Sequence, residues 1–260
     1  MRTETVLVTG ASSGIGRELA KCFAADGCQM ILVSRKTEEL EAVAAELRTT
    51  FKIQAQVFAC DLAEPEAPAR LVARMAKAGI QVDVLVNNAG FGAQGKFFEL
   101  DLKRQLDMIQ VNVTALLHLT GLLLPDIVKR GRGGILNVAS TAAFQPGPGM
   151  AVYYATKAFV LSFSEAIAEE LAGTGITVSA LCPGPTTTNF GKAAGGKFRP
   201  IAHKVAMTAE SVARIGHRAY RDGKVVAVTG VRNKVVPLLV RMAPRATVRK
   251  IARRLNAVSP

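Results

Sequence analysis

Short apolar runs recur along the chain, and longer stretches with a helical spacing of apolar residues separate them. The runs are Val6–Val8, Met30–Val33, Ala55–Ala59, Val82–Val86, Ile135–Val138, Thr177–Leu181 and Val225–Val228. After the first run, Leu19, Ala20 and Phe23 share one face of a helix. Buried strands that alternate with amphipathic helices are typical of a parallel sheet covered on both faces. The pattern predicts an α/β fold with a doubly wound parallel sheet.

Length and composition indicate one domain. The chain has 260 residues, of which 49% are hydrophobic, and this is enough to bury one sizeable core. No repeat, low-complexity tract or linker divides it, so we predict a single domain over residues 1–260. The first strand begins almost at once, which leaves no room for the apolar segment of a signal peptide. Lys, Arg or Pro interrupts the apolar stretches before they reach the roughly 18 residues of a membrane helix.

The cysteines and histidines show no metal-binding spacing. Cys22, Cys28, Cys60 and Cys182 form no Cys-x-x-Cys pair, and the three histidines (His118, His203 and His217) are scattered. We expect free, buried thiols, no metal site and a reducing, cytoplasmic location.

A glycine-rich turn follows the first strand and opens the first helix. It reads Thr9-Gly10-Ala11-Ser12-Ser13-Gly14-Ile15-Gly16. Glycines allow a sharp turn and a close approach of the backbone, while the N–H groups at a helix N-terminus attract phosphate. The spacing is Gly-x-x-x-Gly-x-Gly, which differs from the common Gly-x-Gly-x-x-Gly. We predict that Gly10, Ser12, Ser13, Gly14, Ile15 and Gly16 bind the pyrophosphate of a dinucleotide.

Tyr153 and Lys157 form a second candidate site. Residues four apart share one helix face, so the Lys157 ammonium is expected to lower the pKa of the Tyr153 phenol. Such a phenol could exchange a proton with a substrate oxygen near neutral pH. Ser140 ends an apolar run, which places its hydroxyl at the carboxyl edge of a strand, where open α/β sheets bind ligands.

In this combination of motifs the chain resembles the short-chain dehydrogenase/reductase family. The motifs are Thr9-Gly10-x-x-x-Gly14-Ile15-Gly16, Asp61-Leu62, Asn87-Asn88-Ala89-Gly90, Val111-Asn112, Ser140, Tyr153-x-x-x-Lys157 and Pro183-Gly184-x-x-x-Thr188. They cover roughly residues 5 to 190 in the family's order and spacing. The resemblance implies a single-domain, Rossmann-like oxidoreductase that uses NAD or NADP. Its nearest branch holds bacterial ketoreductases that also resemble hydroxysteroid dehydrogenases and 3-ketoacyl reductases.

The resemblance also implies a role for each motif. Tyr153 would exchange a proton with the substrate, Ser140 would stabilise the developing alkoxide, and Lys157 would hold the nicotinamide ribose. Asn112 would bind a water that links Lys157 to solvent. Further residues would contact the cofactor: Asp61 and Leu62 at the adenine, Asn88, Ala89 and Gly90 at the adenosine ribose, and Pro183, Gly184 and Thr188 at the nicotinamide.

The residues after the second strand bear on the choice of cofactor. A carboxylate there accepts from the ribose 2′-OH, whereas an arginine accommodates a 2′-phosphate. This chain has Ser34-Arg35-Lys36 and no carboxylate. We therefore predict NADP(H), with Arg35 on the phosphate. The alternative is that Arg35 and Lys36 are merely solvated residues at a helix start.

The substrate is specified less well. Residues 189–222 occupy the family's lid position, and Phe91, Phe144, Phe190 and Phe198 could line an apolar pocket. No cluster of charged residues marks a polar substrate, so we expect a small hydrophobic or lipid-like ketone or aldehyde and its alcohol. The alternatives are a 3-oxoacyl reductase acting on a carrier- or CoA-bound substrate, or a non-catalytic nucleotide-binding protein.

The C-terminal tail, residues 232–260, is basic and amphipathic. The net charge is +13, and residues 223–260 contribute +9 without any Asp or Glu, which leaves +4 for the rest. Three roles stay open: a packing tail, peripheral association with an anionic membrane, or docking of an acidic carrier protein. No motif supports nucleic-acid binding. Pro237 and Pro244 are expected to break the tail, and the resemblance implies a homo-oligomer.

Overall fold

The computed structural model describes residues 3–195 and 206–256. Seven parallel strands form the central sheet in the order β3-β2-β1-β4-β5-β6-β9. Their bounds are β1 Thr5–Thr9, β2 Gln29–Ser34, β3 Ala55–Ala59, β4 Val84–Asn87, β5 Gly134–Val138, β6 Thr177–Cys182 and β9 Val226–Val228. Each apolar run of the sequence forms a strand, which confirms the predicted doubly wound α/β domain. A small parallel pair, β7 Thr186–Thr187 and β8 Met207–Thr208, lies apart from this sheet.

Helices cover both faces of the sheet. They are α1 Gly14–Ala25, α2 Thr37–Phe51, α3 Ala67–Lys77, α4 Leu102–Ile109, α5 Ala115–Arg130, α6 Ala151–Glu170, α7 Phe190–Ala193, α8 Ala209–Arg221, α9 Val231–Met242 and α10 Arg245–Asn256. A hydrophobic core lies on each face of the sheet. Alternate residues of β1 point to opposite faces, so Val6 and Val8 pack in one core and Leu7 packs in the other. Burial on both faces explains why the strands read as continuous apolar runs.

The order of the strands places a crevice between β1 and β4. The chain runs outward from β1 through β2 to β3 and then returns to β4 on the other side of β1. The connections leave these two neighbours in opposite directions, and ligands bind at the carboxyl ends of strands at such a switch point. β4 begins at Val84, two residues after the predicted start. The buried Asp83 carboxylate before it accepts from Thr5 N at 3.0 Å and pairs with Arg130 at 3.3 Å.

One long helix combines α-helical turns with a single π-helical turn. α4 and α5 are joined by a π-helical turn at Gln110–Thr114, in which Ala115 N donates to Gln110 O. The rod Leu102–Arg130 is long and apolar enough to cross a membrane by length and composition alone. In the structure α5 packs on α3 and on strands β4 and β5, so it is part of the folded domain.

Two predicted segments are corrected by the fold. The proposed lid, residues 189–222, includes α8, which buries Val212, Ala213 and Tyr220 against α1. This helix is a core element and not part of a lid; residues 196–205 of the predicted lid, including Phe198, lie outside the described residues. In the tail, only Pro244 separates two helices, because Pro237 lies inside α9.

Candidate active site

The glycine turn between β1 and α1 is shaped for close contact with a ligand. Gly10 has a φ of +65°, and a Cβ there would lie 2.8 Å from Asn88 Nδ2. A Cβ on Gly16 would collide with the same amide and with Gly10 O. Ser13 precedes α1 but makes no side-chain capping hydrogen bond, so the first N–H groups of the helix stay available to an anion.

Asn88 ties this turn to the end of β4. Its backbone N–H and that of Ala89 both donate to Thr9 Oγ1 at 3.0 Å. The Asn88 side chain donates to Thr9 O at 2.9 Å and to Gly10 O at 3.2 Å. These bonds cross the crevice between β1 and β4, so Asn88 and Ala89 hold the turn in place.

The residues predicted for the adenosine end lie at the carboxyl ends of β2 and β3. Arg35 is exposed directly after β2, while its neighbour Lys36 forms an ion pair with Glu39. After β3, Asp61 Oδ1 accepts from Ala63 N at 3.0 Å and Leu62 is buried. The Arg35 guanidinium therefore stands where an incoming phosphate can reach it.

Ser140 and Tyr153 meet at the carboxyl end of β5. Ser140 follows that strand, and its Oγ accepts from Ala142 N at 3.0 Å at the start of the 3₁₀ turn Thr141–Phe144. The same side chain is hydrogen-bonded to Tyr153, which lies in the first turn of α6. The two hydroxyl groups therefore lie together, and Ser140 stands at the carboxyl edge of β5, where the apolar run of the sequence placed it.

Lys157 lies one turn further along α6 and is buried. Its Nζ donates to Val138 O at 2.7 Å and stands 5.9 Å from the centroid of the Tyr153 ring. Burial lowers the pKa of Lys157 to about 8, since the charged ammonium is costly away from water.

The prediction that Lys157 lowers the pKa of Tyr153 is wrong for the protein without a cofactor. Burial raises the pKa of Tyr153 to about 12, and the hydrogen bond from Ser140 only partly offsets it. The helix spacing predicts that the ammonium reaches the phenol, whereas in the structure its hydrogen bond goes to Val138 O. Tyr153 is thus a protonated phenol at neutral pH, which suits a proton donor.

Asn112 sits in the π-helical turn and is buried beside Lys157. Its Oδ1 accepts from Phe91 N at 3.0 Å, while Nδ2 donates to Phe91 O at 3.0 Å and to Thr156 Oγ1 at 3.1 Å. Gly90 lies between the Asn112 and Lys157 side chains and leaves them room. A Cβ there would lie 2.9 Å from Asn112 Oδ1 and 3.5 Å from Lys157 Nζ. Asn112 therefore holds the loop after β4 against α6.

The segment after β6 reaches back over the glycine turn. Pro183 O accepts from Thr141 N at 2.8 Å, which joins this segment to the turn after Ser140. Thr188 Cγ2 would lie 3.2 Å from a Cβ on Gly14, and its Oγ1 accepts from Phe190 N at 3.3 Å. Gly184 packs closely on Asn233 of α9. Thr188 is thus brought beside the start of α1, as expected of a cofactor contact.

An apolar wall covers Tyr153 on the substrate side. The Phe190 ring lies 5.2 Å from the Tyr153 ring, and a Cβ on Gly92 would stand 2.8 Å from Phe190 and 3.3 Å from Met150. Sequence reasoning named Phe190 but missed Gly92 and Met150, because neither belongs to a motif. Phe144 packs instead on the core beside β5 and β6.

The end of α10 closes the same wall, which no sequence pattern indicated. Tyr154 donates from its hydroxyl to Asn256 Oδ1 at 3.1 Å, and Asn256 Nδ2 donates to Pro148 O at 3.1 Å. Gln94 Nε2 donates to Asn256 O, also at 3.1 Å, and Gln94 N donates to Ala194 O beside α7. The C-terminal helix is therefore fixed to the wall of the site.

The cysteines take no part in this site as nucleophiles. Cys182 is buried behind Ser140, and burial raises its pKa to about 12. Burial also raises the pKa of Cys22 and Cys28 to about 11. Within residues 3–195 and 206–256, no three His, Cys, Asp or Glu side chains come together as a metal site would require.

Together, these residues form a groove that a dinucleotide would fit. Arg35, Asp61 and Leu62 would hold the adenosine end, and Gly10, Ser12, Ser13, Gly14, Ile15 and Gly16 the pyrophosphate. Asn88, Ala89 and Gly90 line the middle of the groove. Lys157, Tyr153, Pro183, Gly184 and Thr188 lie at its far end, beside Ser140. The open helix start and the missing Cβ atoms of the turn are the cradle that a pyrophosphate requires.

Known proteins share both the sequence and the fold. A sulfoacetaldehyde reductase of Chromohalobacter salexigens is 36% identical over 218 residues, which cover 81% of this chain and 85% of that protein. The human very-long-chain 3-oxoacyl-CoA reductase is 32% identical over 194 residues, which cover 73% of this chain but 61% of the relative. A short-chain dehydrogenase from Sphingobium yanoikuyae in complex with NADPH is similar with a TM-score of 0.82 at 32% identity, covering 89% of this chain and 90% of that one.

The family assignment follows from the same residues that build the groove. Residues 4–197, from β1 through the wall of the site, match the family described as short chain dehydrogenase. This match confirms the resemblance that the motifs indicated. The chain belongs to the short-chain dehydrogenase family and is an NAD(P)-dependent oxidoreductase.

Proposed function

We propose that this protein is an NADP(H)-dependent reductase that converts a hydrophobic ketone or aldehyde into its alcohol. The observation that carries the proposal is the cluster of Ser140, Tyr153 and Lys157 beside the dinucleotide groove. A protein that only bound a nucleotide would not need two hydroxyl groups hydrogen-bonded to each other over a buried lysine.

Each residue of the cluster has a separate task. When NADPH is bound beside this cluster, its chemistry would be the supply of a hydride for the carbonyl carbon. Tyr153 gives its phenolic proton to the carbonyl oxygen, and the pKa of about 12 keeps that proton in place beforehand. Ser140 turns its hydroxyl toward the same oxygen and stabilises the negative charge that develops there. Lys157, which donates to Val138 O, would also hold the ribose hydroxyl groups of the bound cofactor.

The preference for NADP(H) rests on Arg35. Its guanidinium is exposed at the end of β2, and Lys36 beside it is occupied by Glu39. A planar guanidinium can form two hydrogen bonds with a 2′-phosphate, whereas a ribose 2′-OH offers it little. Several similar solved structures are NADPH complexes, which supports this preference.

The apolar wall supports a hydrophobic substrate. Phe190 packs on the Tyr153 ring, and Phe190 and Met150 both approach Gly92, which places apolar side chains beside the phenol. The second candidate is a 3-oxoacyl reductase that takes a CoA- or carrier-bound substrate. The name of the human relative favours it, although this chain spans only part of that relative's length.

One assay compares these candidates. NADPH oxidation is followed with an aliphatic or cyclic ketone, a 3-oxoacyl-CoA and the same 3-oxoacyl group on an acyl carrier protein. Faster turnover of the free ketone supports the first proposal, and a large advantage of either bound form supports the second. If no carbonyl compound is reduced by the native protein at a higher rate than by Tyr153→Phe, the enzyme proposal fails.

Location and assembly remain proposals as well. We expect the protein to work in the cytoplasm, where its free thiols stay reduced. We also expect a homo-oligomer, with a mass in solution that is a multiple of 27.5 kDa. Light scattering after gel filtration measures it, and a single species at 27.5 kDa contradicts it.

A further inference from the structure

Helix α9 presents a row of apolar side chains to the outside of the molecule. Val231 and Met242 are 81% and 77% exposed, and Leu238 and Leu239 are both 59% exposed. Val231, Val235, Leu238 and Met242 follow the spacing i, i+4, i+7 and i+11, which aligns them along one face. Together with Leu239 they are called the α9 apolar row. None of the 12 residues of this fully described helix is buried.

Cations border the α9 apolar row on both sides. At about 100° per residue, Lys234 and Arg241 lie along one border of the row and Arg232 lies along the other. All three are exposed, and no Asp or Glu occurs in the sequence after Asp222. The helix thus offers an apolar centre with positive margins on both sides.

The opposite face of α9 attaches the helix to the catalytic edge of the sheet. Asn233 Nδ2 donates to Thr229 O at 2.7 Å and packs on Gly184. The helix also contacts the turn Thr141–Phe144, which directly follows Ser140. The α9 apolar row therefore faces away from the domain while its helix lies beside the active site.

We propose that the α9 apolar row docks on the surface of an anionic membrane and holds the catalytic edge of the enzyme against the bilayer. A helix with an apolar face and basic borders lies in the membrane interface, with its apolar side chains among the lipids and its cations at the headgroups. The positive margins on both sides of the row match a negatively charged plane. This part of the inference rests on the proposed function: docking at this edge would give a lipid-like carbonyl compound a short path from the bilayer to Tyr153.

The test needs point variants of the full chain and not a truncation. Removal of the tail would also remove Asn256, which bonds to Tyr154, Pro148 and Gln94 on the wall of the site. It would also expose Gly184, on which Asn233 packs. A truncated protein that failed to bind vesicles could simply have lost its fold.

Flotation with vesicles measures the docking directly. Native protein is mixed with vesicles of phosphatidylcholine alone or of phosphatidylcholine with phosphatidylglycerol. We expect stronger binding to the anionic vesicles, and a decrease as salt rises, because salt screens charges over about 8 Å at physiological ionic strength. The double variant Leu238→Glu/Leu239→Glu should bind at least about 100-fold more weakly, roughly tenfold for each leucine withdrawn from the lipid.

Matched variants distinguish an effect of the α9 apolar row on vesicle binding from a general effect of added surface charge. Ile215→Glu/Val225→Glu makes the same chemical change at exposed apolar positions outside α9, and it should bind vesicles within a few-fold of native protein. Leu238→Ile/Leu239→Ile keeps the row apolar and should bind like native protein. Alanine at Arg232, Lys234 or Arg241 should weaken binding to anionic vesicles about fivefold per residue. NADPH binding, which does not depend on the proposed substrate, shows that each variant is folded.

Three results would overturn the proposal. One is the absence of vesicle binding by native protein at low salt. Another is equal binding by native protein and Leu238→Glu/Leu239→Glu. The third is a protein that ignores vesicles but binds an acidic acyl carrier protein through the same row, which would make the surface a protein-docking site.

Discussion

Burial shifts the pKa values of Tyr153 and Lys157 in opposite directions, and both shifts favour the uncharged side chain. It raises the pKa of the phenol to about 12 and lowers that of the ammonium to about 8, because both charged forms lose water. The resting site is therefore prepared to donate a proton. The sequence indicated which residues meet, but it could not show that the Lys157 hydrogen bond goes to Val138 O.

Removal of the Tyr153 hydroxyl should separate chemistry from cofactor binding. In Tyr153→Phe we expect turnover to fall by about 100-fold or more, since the proton donor is lost, while NADPH affinity stays near native. Tyr154→Phe is the matched control: it loses only the bond to Asn256 and should keep turnover within a few-fold of native. Lys157→Ala should impair both properties. Near-native turnover by Tyr153→Phe would show that another group is the acid.

The buried lysine predicts a pH dependence. With a lowered pKa of about 8, Lys157 is charged below that pH and loses its proton as pH rises through it. The ammonium would donate to the ribose of the bound cofactor, so we expect NADPH affinity to decrease about tenfold per pH unit above 8. Fluorescence titration between pH 6.5 and 9.5 measures it. Tyr153→Phe should show the same decrease, and a flat profile in native protein would contradict the role of Lys157.

At the scale of elements, the contact between β1 and β4 determines the shape of the groove. The glycine turn and the strand run were both predicted from the sequence, because each is a local pattern. Their connection through Asn88 and Thr9 spans 79 residues, so only the fold reveals it. The π-helical turn and the docking of Asn256 were missed for the same reason: each depends on distant partners.

Loss of the Asn88 amide should therefore affect both stability and cofactor binding. Asn88→Ala removes two donors to backbone carbonyl groups, so we expect the free energy of unfolding to fall by about 1–3 kcal/mol. NADPH affinity should fall as well, because the turn is no longer held. Urea denaturation and cofactor titration measure the two effects. The control is Gln105→Ala, which removes two amide hydrogen bonds to backbone carbonyl groups from α4, a helix that contributes no residue to the groove. Unchanged affinity in Asn88→Ala would show that the turn holds its shape alone.

At the scale of the whole molecule, cofactor binding and folding are coupled. The groove draws residues from β1, β2, β3, β4, α6 and the segment after β6, so an occupied groove holds the two halves of the sheet together. The sequence alone predicted this architecture, because a sheet buried on both faces leaves a strong apolar pattern. It did not predict where the tail lies, since a basic amphipathic segment fits several positions.

Thermal unfolding should reveal this coupling and the choice of cofactor. NADPH at 100 times its Kd should stabilise the native state by about 2.7 kcal/mol, which corresponds to a rise in Tm of roughly 5–10 °C. NADH at the same concentration should raise the Tm by much less. Arg35→Ala should abolish the difference, whereas Lys36→Ala, whose side chain pairs with Glu39, should retain it. Equal shifts with both cofactors in native protein would contradict the preference for NADP(H).

The π-helical turn at Gln110–Thr114 makes the length of one helix as critical as its composition. Deletion of one residue there would restore regular α-helical bonding and rotate everything after it by about 100° relative to α4. Asn112 would leave Phe91 and Thr156, and Leu116 would turn out of the core. A surface helix ordinarily tolerates a change of one residue at modest cost. In the helical rod Leu102–Arg130, we expect related sequences to differ by substitutions and only rarely by insertions or deletions.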